Sequence, residues 1–273
     1  MKAFFEHRAY SKNLQIYASV VPNMEFAAHW HSDIELIYVI DGSLGVGINM
    51  QYKVIHSGDF AICGSNDIHY YKSIDQQSRV LMMIFKQEML DPLLTNNDKI
   101  NPHSIIYSDI PAEFGTALDT LVGDIVNNDF IDRHANQQLM KMRVLEIFLA
   151  IFRYSPSYYL NSLNRIPSYL VAKPVQTALK YIEENYAKDI SLDLISEKAN
   201  LSPYYFSRLF KKTTGTSFKS YLNHIRLSKA AEMIGSTPKR ILDIAYETGF
   251  GSIRTFNRAF YSMNGYPPTA LRK

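Results

Sequence analysis

The chain has 273 residues, 47% hydrophobic and 20% charged, with a net charge of +3; this excludes a disordered or fibrous protein, and at about 100 to 200 residues per domain it suggests two domains. No apolar run approaches the roughly 18 to 20 residues needed to span a bilayer, the densest stretch, Val144 to Phe152, being interrupted by Glu146. The single cysteine, Cys63, excludes an intrachain disulfide and a thiolate-rich zinc site, so a metal would have to sit on histidine and carboxylate.

Met1 to Tyr10 carries Lys2, Glu6 and Arg8 and lacks an apolar stretch followed by small residues, so no secretory signal is expected and the protein is placed in the cytoplasm. Up to Phe85, apolar runs at Asp33 to Ile40, Leu44 to Ile48, Phe60 to Cys63 and Val80 to Phe85 are separated by the turn signals Asp41-Gly42 and Ser57-Gly58-Asp59. That is the pattern of antiparallel β-structure. On a strand, period-two geometry puts His29, His31, Asp33 and Glu35 on one face and Trp30 on the other. The succession His29-Trp30-His31, Glu35, Gly42 resembles the first motif of the cupin family, and Gly58 with His69 resembles the ends of the second. The resemblance implies a small β-barrel over about residues 10–90, its polar strand face turned inward. Asn23 stands where the first motif has its leading glycine, and Gly64, Asn66 and Ser73 replace a proline, a glycine and an asparagine of the second. Imidazole and carboxylate together suit zinc, iron, nickel or manganese. His29, His31, Glu35 and His69 therefore form a candidate divalent-metal set, with ligand-lining and plain packing as the other two readings. No other cofactor is implied.

Between Pro111 and Phe130 and between Gln137 and Tyr154, apolar residues recur at helical spacing: Leu118, Leu121, Val122 and Ile125, then Met140, Val144, Leu145, Phe148 and Ile151. Two helices are expected within 111–154. Because Val144 to Phe152 is apolar on more than one face, the second helix is expected to pack on the barrel and on a second copy of the chain, giving a homodimer. The alternative is that the pair only covers an open sheet face. Ser155 to Lys173, with Pro156 and Pro167, reads as an interdomain linker.

Charge divides at this point. Residues 1–173 hold 14 basic and 18 acidic residues, net −4, whereas residues 174–273 hold 15 and 8, net +7; the basic part suits a polyanionic partner. It also contains a repeat. A shift of 50 positions aligns Leu192, Asp193, Glu197, Ser202, Phe206, Arg208, Phe210 and Gly215 with Leu242, Asp243, Glu247, Ser252, Phe256, Arg258, Phe260 and Gly265, eight identities in all. Each copy reads as helix, turn, helix, with Ser202 or Ser252 as the N-cap of its second helix. In the first copy Phe206, Leu209 and Phe210 fall on one face, leaving Tyr204, Ser207, Arg208 and Lys211 on the other. In the second, Phe256, Ala259 and Phe260 oppose Arg254, Asn257, Arg258 and Tyr261. Arginine can donate two bonds to guanine and asparagine can pair with adenine, so such faces can read bases in a major groove. Ser217 to Ile234 fits one connecting helix, about 27 Å long at 1.5 Å per residue.

The segments LSPYYFSRLFKKTTGTSFKSYLNHIRLSKAAEMI, ILDIAYETGFGSIRTFNRAF and NGYPPTALRK resemble the DNA-binding domain of the AraC/XylS family of bacterial transcription regulators. The resemblance covers 174–273 and implies base-reading positions at Tyr204, Ser207, Arg208, Ile253, Arg254, Asn257 and Arg258. Lys211, Lys212, Lys239 and Arg240 read as phosphate contacts. Where the family carries a lysine pair after the second Arg-x-Phe, this chain has Tyr261 and Ser262. In such regulators the barrel takes a small polar effector, commonly a sugar, which the resemblance assigns here to His29, His31, Glu35, His69 and Tyr38.

The expected protein is thus α+β with two domains. Residues 1–154 form a cupin-like β-barrel with a helical dimerisation pair, 155–173 the linker, and 174–273 an all-α domain of two helix-turn-helix units joined by a linker helix. Its expected partners are double-stranded operator DNA, a small-molecule effector such as a carbohydrate, a second copy of the chain and RNA polymerase, with no membrane. It is expected not to be an enzyme. The competing reading is a metal-dependent cupin enzyme, an isomerase or dioxygenase, with a DNA-binding tail.

Overall fold

The computed structural model describes residues 16–75, 77–93, 105–107, 112–127, 133–154 and 168–272. The expected linker lies outside the described residues up to position 167. Two compact units are present: one holds Phe26–His29 and the described residues from Ala172 on, the other the remaining described residues.

The strands of the first part of the chain are β1 (Ile16–Pro22), β2 (Phe26–His29), β3 (Ile34–Asp41), β4 (Ser43–Ile48), β5 (Gln51–His56), β6 (Phe60–Cys63), β7 (His69–Ser73), β8 (Arg79–Phe85) and β9 (Ile105–Tyr107). Five strands make one sheet in the order β1-β8-β3-β6-β9, and four make a second in the order β2-β7-β4-β5. The pairings are antiparallel, as the turn signals require; β3 sits centrally between β6 and β8. Side chains on a strand alternate between faces, and β3 uses both: Ile34, Leu36 and Tyr38 join one core, while Glu35 is buried on the opposite side.

The two helices expected after the barrel are α1 (Ala112–Asn127) and α2 (Arg133–Tyr154). Leu118, Leu121, Val144, Ile147 and Phe148 share a core with Leu36, Phe60, Leu81 and Phe85, so the pair covers one face of the five-stranded sheet. Phe85 and Phe148 meet edge to face at 5.7 Å. The α2 surface away from this core leaves Met142 and Leu149 exposed.

The C-terminal unit contains α3 (Ser168–Asn185), α4 (Leu192–Lys198), α5 (Pro203–Thr214), α6 (Phe218–Ser236), α7 (Ile241–Glu247) and α8 (Ile253–Asn264). Helix starts follow the sequence signals: Ser191, Ser202, Ser217 and Ser252 accept from the amides of Leu194, Tyr205, Ser220 and Thr255. Only α7, which follows Arg240, lacks such a cap among these short helices. Both α5 and α8 end on a left-handed glycine, Gly215 at φ 72° and Gly265 at φ 76°, where a β-carbon would be strained. Helix α6 serves two cores. Near its start Phe218 and Tyr221 pack on Phe206 and Phe210. Towards its end Leu227, Ala230 and Ile234 pack on Phe250, Phe256 and Phe260. No helix among the described residues is long and apolar enough to cross a membrane.

Candidate nucleic-acid interface and barrel site

The amphipathic pattern of α5 and α8 sorts their side chains as the repeat predicts. Phe206, Phe210, Phe256 and Phe260 are fully buried, whereas Tyr204, Ser207, Arg208, Lys211 and Lys212 on α5, and Arg254, Asn257 and Arg258 on α8, are exposed. Arg208 is held in place before any ligand arrives. Its Nη1 donates to Tyr204 Oη at 3.2 Å and its guanidinium lies 5.7 Å from the ring centroid, a stacked pair one helical turn apart. Ile253, a base-reading position by the resemblance alone, is half-buried against the second core. It lines an open groove of about 470 Å³ with Ile241, Leu242, Asn257, Tyr261, Pro267, Pro268 and Thr269.

The four expected phosphate contacts fall into two kinds. Lys211 and Lys212 stand exposed in the last turn of α5. Lys239 and Arg240 are engaged within the chain: Lys239 Nζ donates to Glu247 at 2.7 Å, and Arg240 grips Asp243 with two bonds of 2.8 and 2.9 Å. The sequence does not show this difference, because Glu247 and Asp243 lie eight and three residues away from cations that the helix start brings beside them.

In the barrel, His29, His31, Glu35 and His69 come together, one ligand atom from each lying within 4.8 Å of the others. The route is not the single strand expected. Strand β2 ends at His29 and β3 begins at Ile34, with a bend at Ser32 and Asp33 between. That bend breaks the period of two, and Asp33 is not one of the four grouped residues. Tyr38 stands apart from the set. It follows Glu35 by three positions on β3 and so faces the opposite side, where its hydroxyl donates to Asp119 of α1 at 2.8 Å.

All four grouped side chains are buried. Each histidine uses Nδ1 in the same way, donating to a backbone carbonyl two residues off: Ala27 at 2.8 Å, Asp33 at 3.1 Å and Asp67 at 2.8 Å. A carbonyl only accepts, so Nδ1 carries the proton in each ring and Nε2 is left to face the site. Nε2 of His31 and of His69 lie 3.0 and 3.4 Å from Oε2 of Glu35. Burial raises the Glu35 carboxyl, but the bonds from His31 and His69 outweigh it and hold the group well below its ordinary range. Burial lowers the His69 imidazole, and Glu35 more than reverses this. Sequence reasoning did not single out the neighbouring pair Cys63 and Tyr71, which share a buried contact of 3.3 Å. Register could have found Cys63, since it pairs across the sheet with Glu35 and therefore points the same way. Burial, with the charge of Glu35 adding to it, pushes the Cys63 thiol up, so it stays protonated.

Comparison with known proteins bears on both regions. A helix-turn-helix domain family matches residues 195–273, and a cupin domain family matches residues 16–85. The Transposon Tn10 TetD protein of Escherichia coli is 37% identical over 99 residues, covering 36% of this chain and 72% of its own length. The melibiose operon regulatory protein of Escherichia coli K12 is 22% identical over 262 residues, covering 92% of this chain and 85% of its own. Apo ToxT K231A from Vibrio cholerae aligns over 94% of this chain and 97% of its own at 14% identity, with a TM-score of 0.48. With a paired helix-turn-helix tail, its reading faces exposed, behind a cupin-like β-domain, the chain belongs to the AraC/XylS family of DNA-binding transcription regulators.

Proposed function

We propose that residues 174–273 read operator DNA with both helix-turn-helix units, while residues 1–154 sense a small polar effector and pair two copies of the chain in the cytoplasm. The observation that carries this reading is the repetition of one solvent-facing set, Tyr204, Ser207 and Arg208 on α5 and Arg254, Asn257 and Arg258 on α8, over equivalent buried phenylalanines. Chemistry of that kind, presented twice at matched positions, suits base edges in two successive stretches of major groove. The name of the melibiose operon relative, alignable along most of the chain, supports a carbohydrate as effector. The exposed apolar residues Met142 and Leu149 on α2, one either side of half-buried Leu145, support pairing through that helix. Selection of bound sequences from a random duplex pool tests the reading directly. A defined motif in two patches is expected; uniform recovery of all sequences would reject it.

A second reading concerns what the barrel holds, and the histidine geometry favours it. Three imidazoles with Nδ1 committed to backbone carbonyls, their remaining nitrogens gathered at a buried carboxylate, fit a divalent transition metal. Two nitrogen lone pairs so close to a carboxylate oxygen need a positive charge between them, from a second ring proton or from a metal. His29, His31, Glu35 and His69 would be the ligands, and the cation would supply a positive centre for a hydroxyl or carboxylate of the effector. We expect the protein, purified without a chelating tag, to carry close to one equivalent of zinc, iron, nickel or manganese, and to melt at a lower temperature after chelation. Metal-free protein whose melting is indifferent to added metal would leave the polar-effector reading alone. Turnover of a substrate by the loaded protein would instead favour the enzyme.

A further inference from the structure

Helix α6 joins the two DNA-reading units, and one of its residues touches both. Arg226 Nε donates to the carbonyl of Tyr186 and Nη2 to that of Lys188, each at 2.7 Å. Those carbonyls lie in the turn between α3 and α4 that opens the first unit. On its other side the guanidinium sits 5.9 Å from the ring centroid of Phe250. Phe250 belongs to the turn between α7 and α8 and to the second core, where it meets Phe256 at 5.2 Å. A side chain rooted at the junction of the two cores thus ties the turn of one unit to the turn of the other.

The repeat shows that this contact was not inherited by both copies. At the equivalent turn the first copy has Ala199 and Asn200, with Asn200 in the left-handed region at φ 53°. The second copy has Gly249 and Phe250, and the left-handed residue is one place earlier, Gly249 at φ 88°. A β-carbon on Gly249 would lie 2.8 Å from the carbonyl oxygen of Ala187, 2.9 Å from that of Tyr186 and 2.9 Å from Arg226 Nε. The glycine is what lets the two turns approach closely enough for one guanidinium to reach both. Helix α6 by itself sets how far apart the units lie. To its apolar packing a planar guanidinium donating two directional bonds adds a restraint on rotation about the helix axis.

We propose that Arg226 is a positioning residue that fixes the angle between the two reading helices, so that the protein accepts one separation of its two patches on DNA. This rests on both helices engaging one duplex, so the test has an arm that needs no DNA. Spin labels on Glu197 and Glu247, equivalent exposed sites of the two copies, are placed in the full chain in a Cys63→Ser background and diluted with an excess of unlabelled chain, so that only distances within one chain are read. The wild-type distance distribution is expected to be a single narrow peak and that of Arg226→Met to be broad. In the DNA arm, the duplex selected by the wild-type chain is remade with one base pair inserted between the patches, a shift of about 3.4 Å and about a tenth of a turn. The insertion should weaken the wild type by about tenfold or more, as losing a base-pair contact does, and weaken Arg226→Met markedly less. If Arg226→Met does not fold, Arg226→Lys, which keeps the charge but loses the rigid planar fork of donors, is measured in both assays. A variant that melts earlier but keeps the narrow peak and the full insertion penalty would overturn the proposal. A broadened peak with no effect of the insertion in either protein would instead count against two-helix binding.

Discussion

Single side chains in the reading set differ in how ready they are. Arg208 is already stacked and hydrogen-bonded by Tyr204, so less conformational freedom is lost when it meets a base. Arg208→Ala is expected to cost about 1–3 kcal/mol at the selected site and to relax preference at one base pair, measured by titration against single-base variants. Tyr204→Phe keeps the ring and should cost a fraction of that. Lys211→Ala should weaken binding to every sequence alike and flatten the logarithmic salt dependence by about one unit. Lys239→Ala should change the slope less, because Lys239 leaves Glu247 in order to meet a phosphate. The grouping of His29, His31, Glu35 and His69 was legible from motif spacing, but what the rings do with their protons was not. That depends on carbonyls of Ala27, Asp33 and Asp67, whose placement follows from a bend no residue count reveals. The expectation for Tyr38 ignored strand parity: an odd offset from Glu35 sends a side chain to the other face.

Among elements, the helices of the C-terminal unit were the most legible, because each carries a local start signal, a local stop signal and a strict apolar period. Ser202 and Ser252 cap where the sequence places them, and the linker helix, expected over Ser217 to Ile234, runs over Phe218–Ser236 with Ser217 as its cap, starting one residue later and ending two later. The element energetics separate cleanly in magnitude. Phe256→Ala, at a fully buried position, should destabilise the protein by about 3–5 kcal/mol. Ser252→Ala, which removes one cap, should cost about 0.5–2 kcal/mol; urea unfolding followed by far-ultraviolet circular dichroism distinguishes the two. The strand expected through His29 to Glu35 was the least legible element. Its alternation of polar residues is a true signal of facing, yet polar ligating residues are also where chains bend. The contact between α6 and two distant turns was invisible for a different reason, since it rests on backbone carbonyls, which every sequence has.

For the whole molecule, the charge asymmetry between the two parts of the chain was readable by counting, and it separates the surface suited to phosphate from one that is not. The proposed pairing of copies rests on α2. The helix buries Val144, Ile147, Phe148 and Ile151 on the sheet, while Met142 and Leu149 remain exposed on its far side. Leu149→Lys is expected to shift sedimentation from dimer to monomer and to abolish the dependence of the melting temperature on protein concentration that pairing confers. A monomeric wild type, or a Leu149→Lys protein that still pairs, would place any dimer contact elsewhere. Loss of pairing should weaken binding to a two-fold operator far more than binding to one half of it, because the second copy then no longer benefits from high local concentration.

Strand β3 ends up serving two masters. It offers the carboxylate of Glu35 to the histidine set on one side and the hydroxyl of Tyr38 to Asp119 on the other, less than one strand's length apart. The strand is paired along both edges, to β6 and to β8, so the two side chains share one backbone held on either flank. A ligand taken up at Glu35, as proposed, is expected to change amide exchange along α1; unchanged exchange there would show that the two faces of β3 act separately.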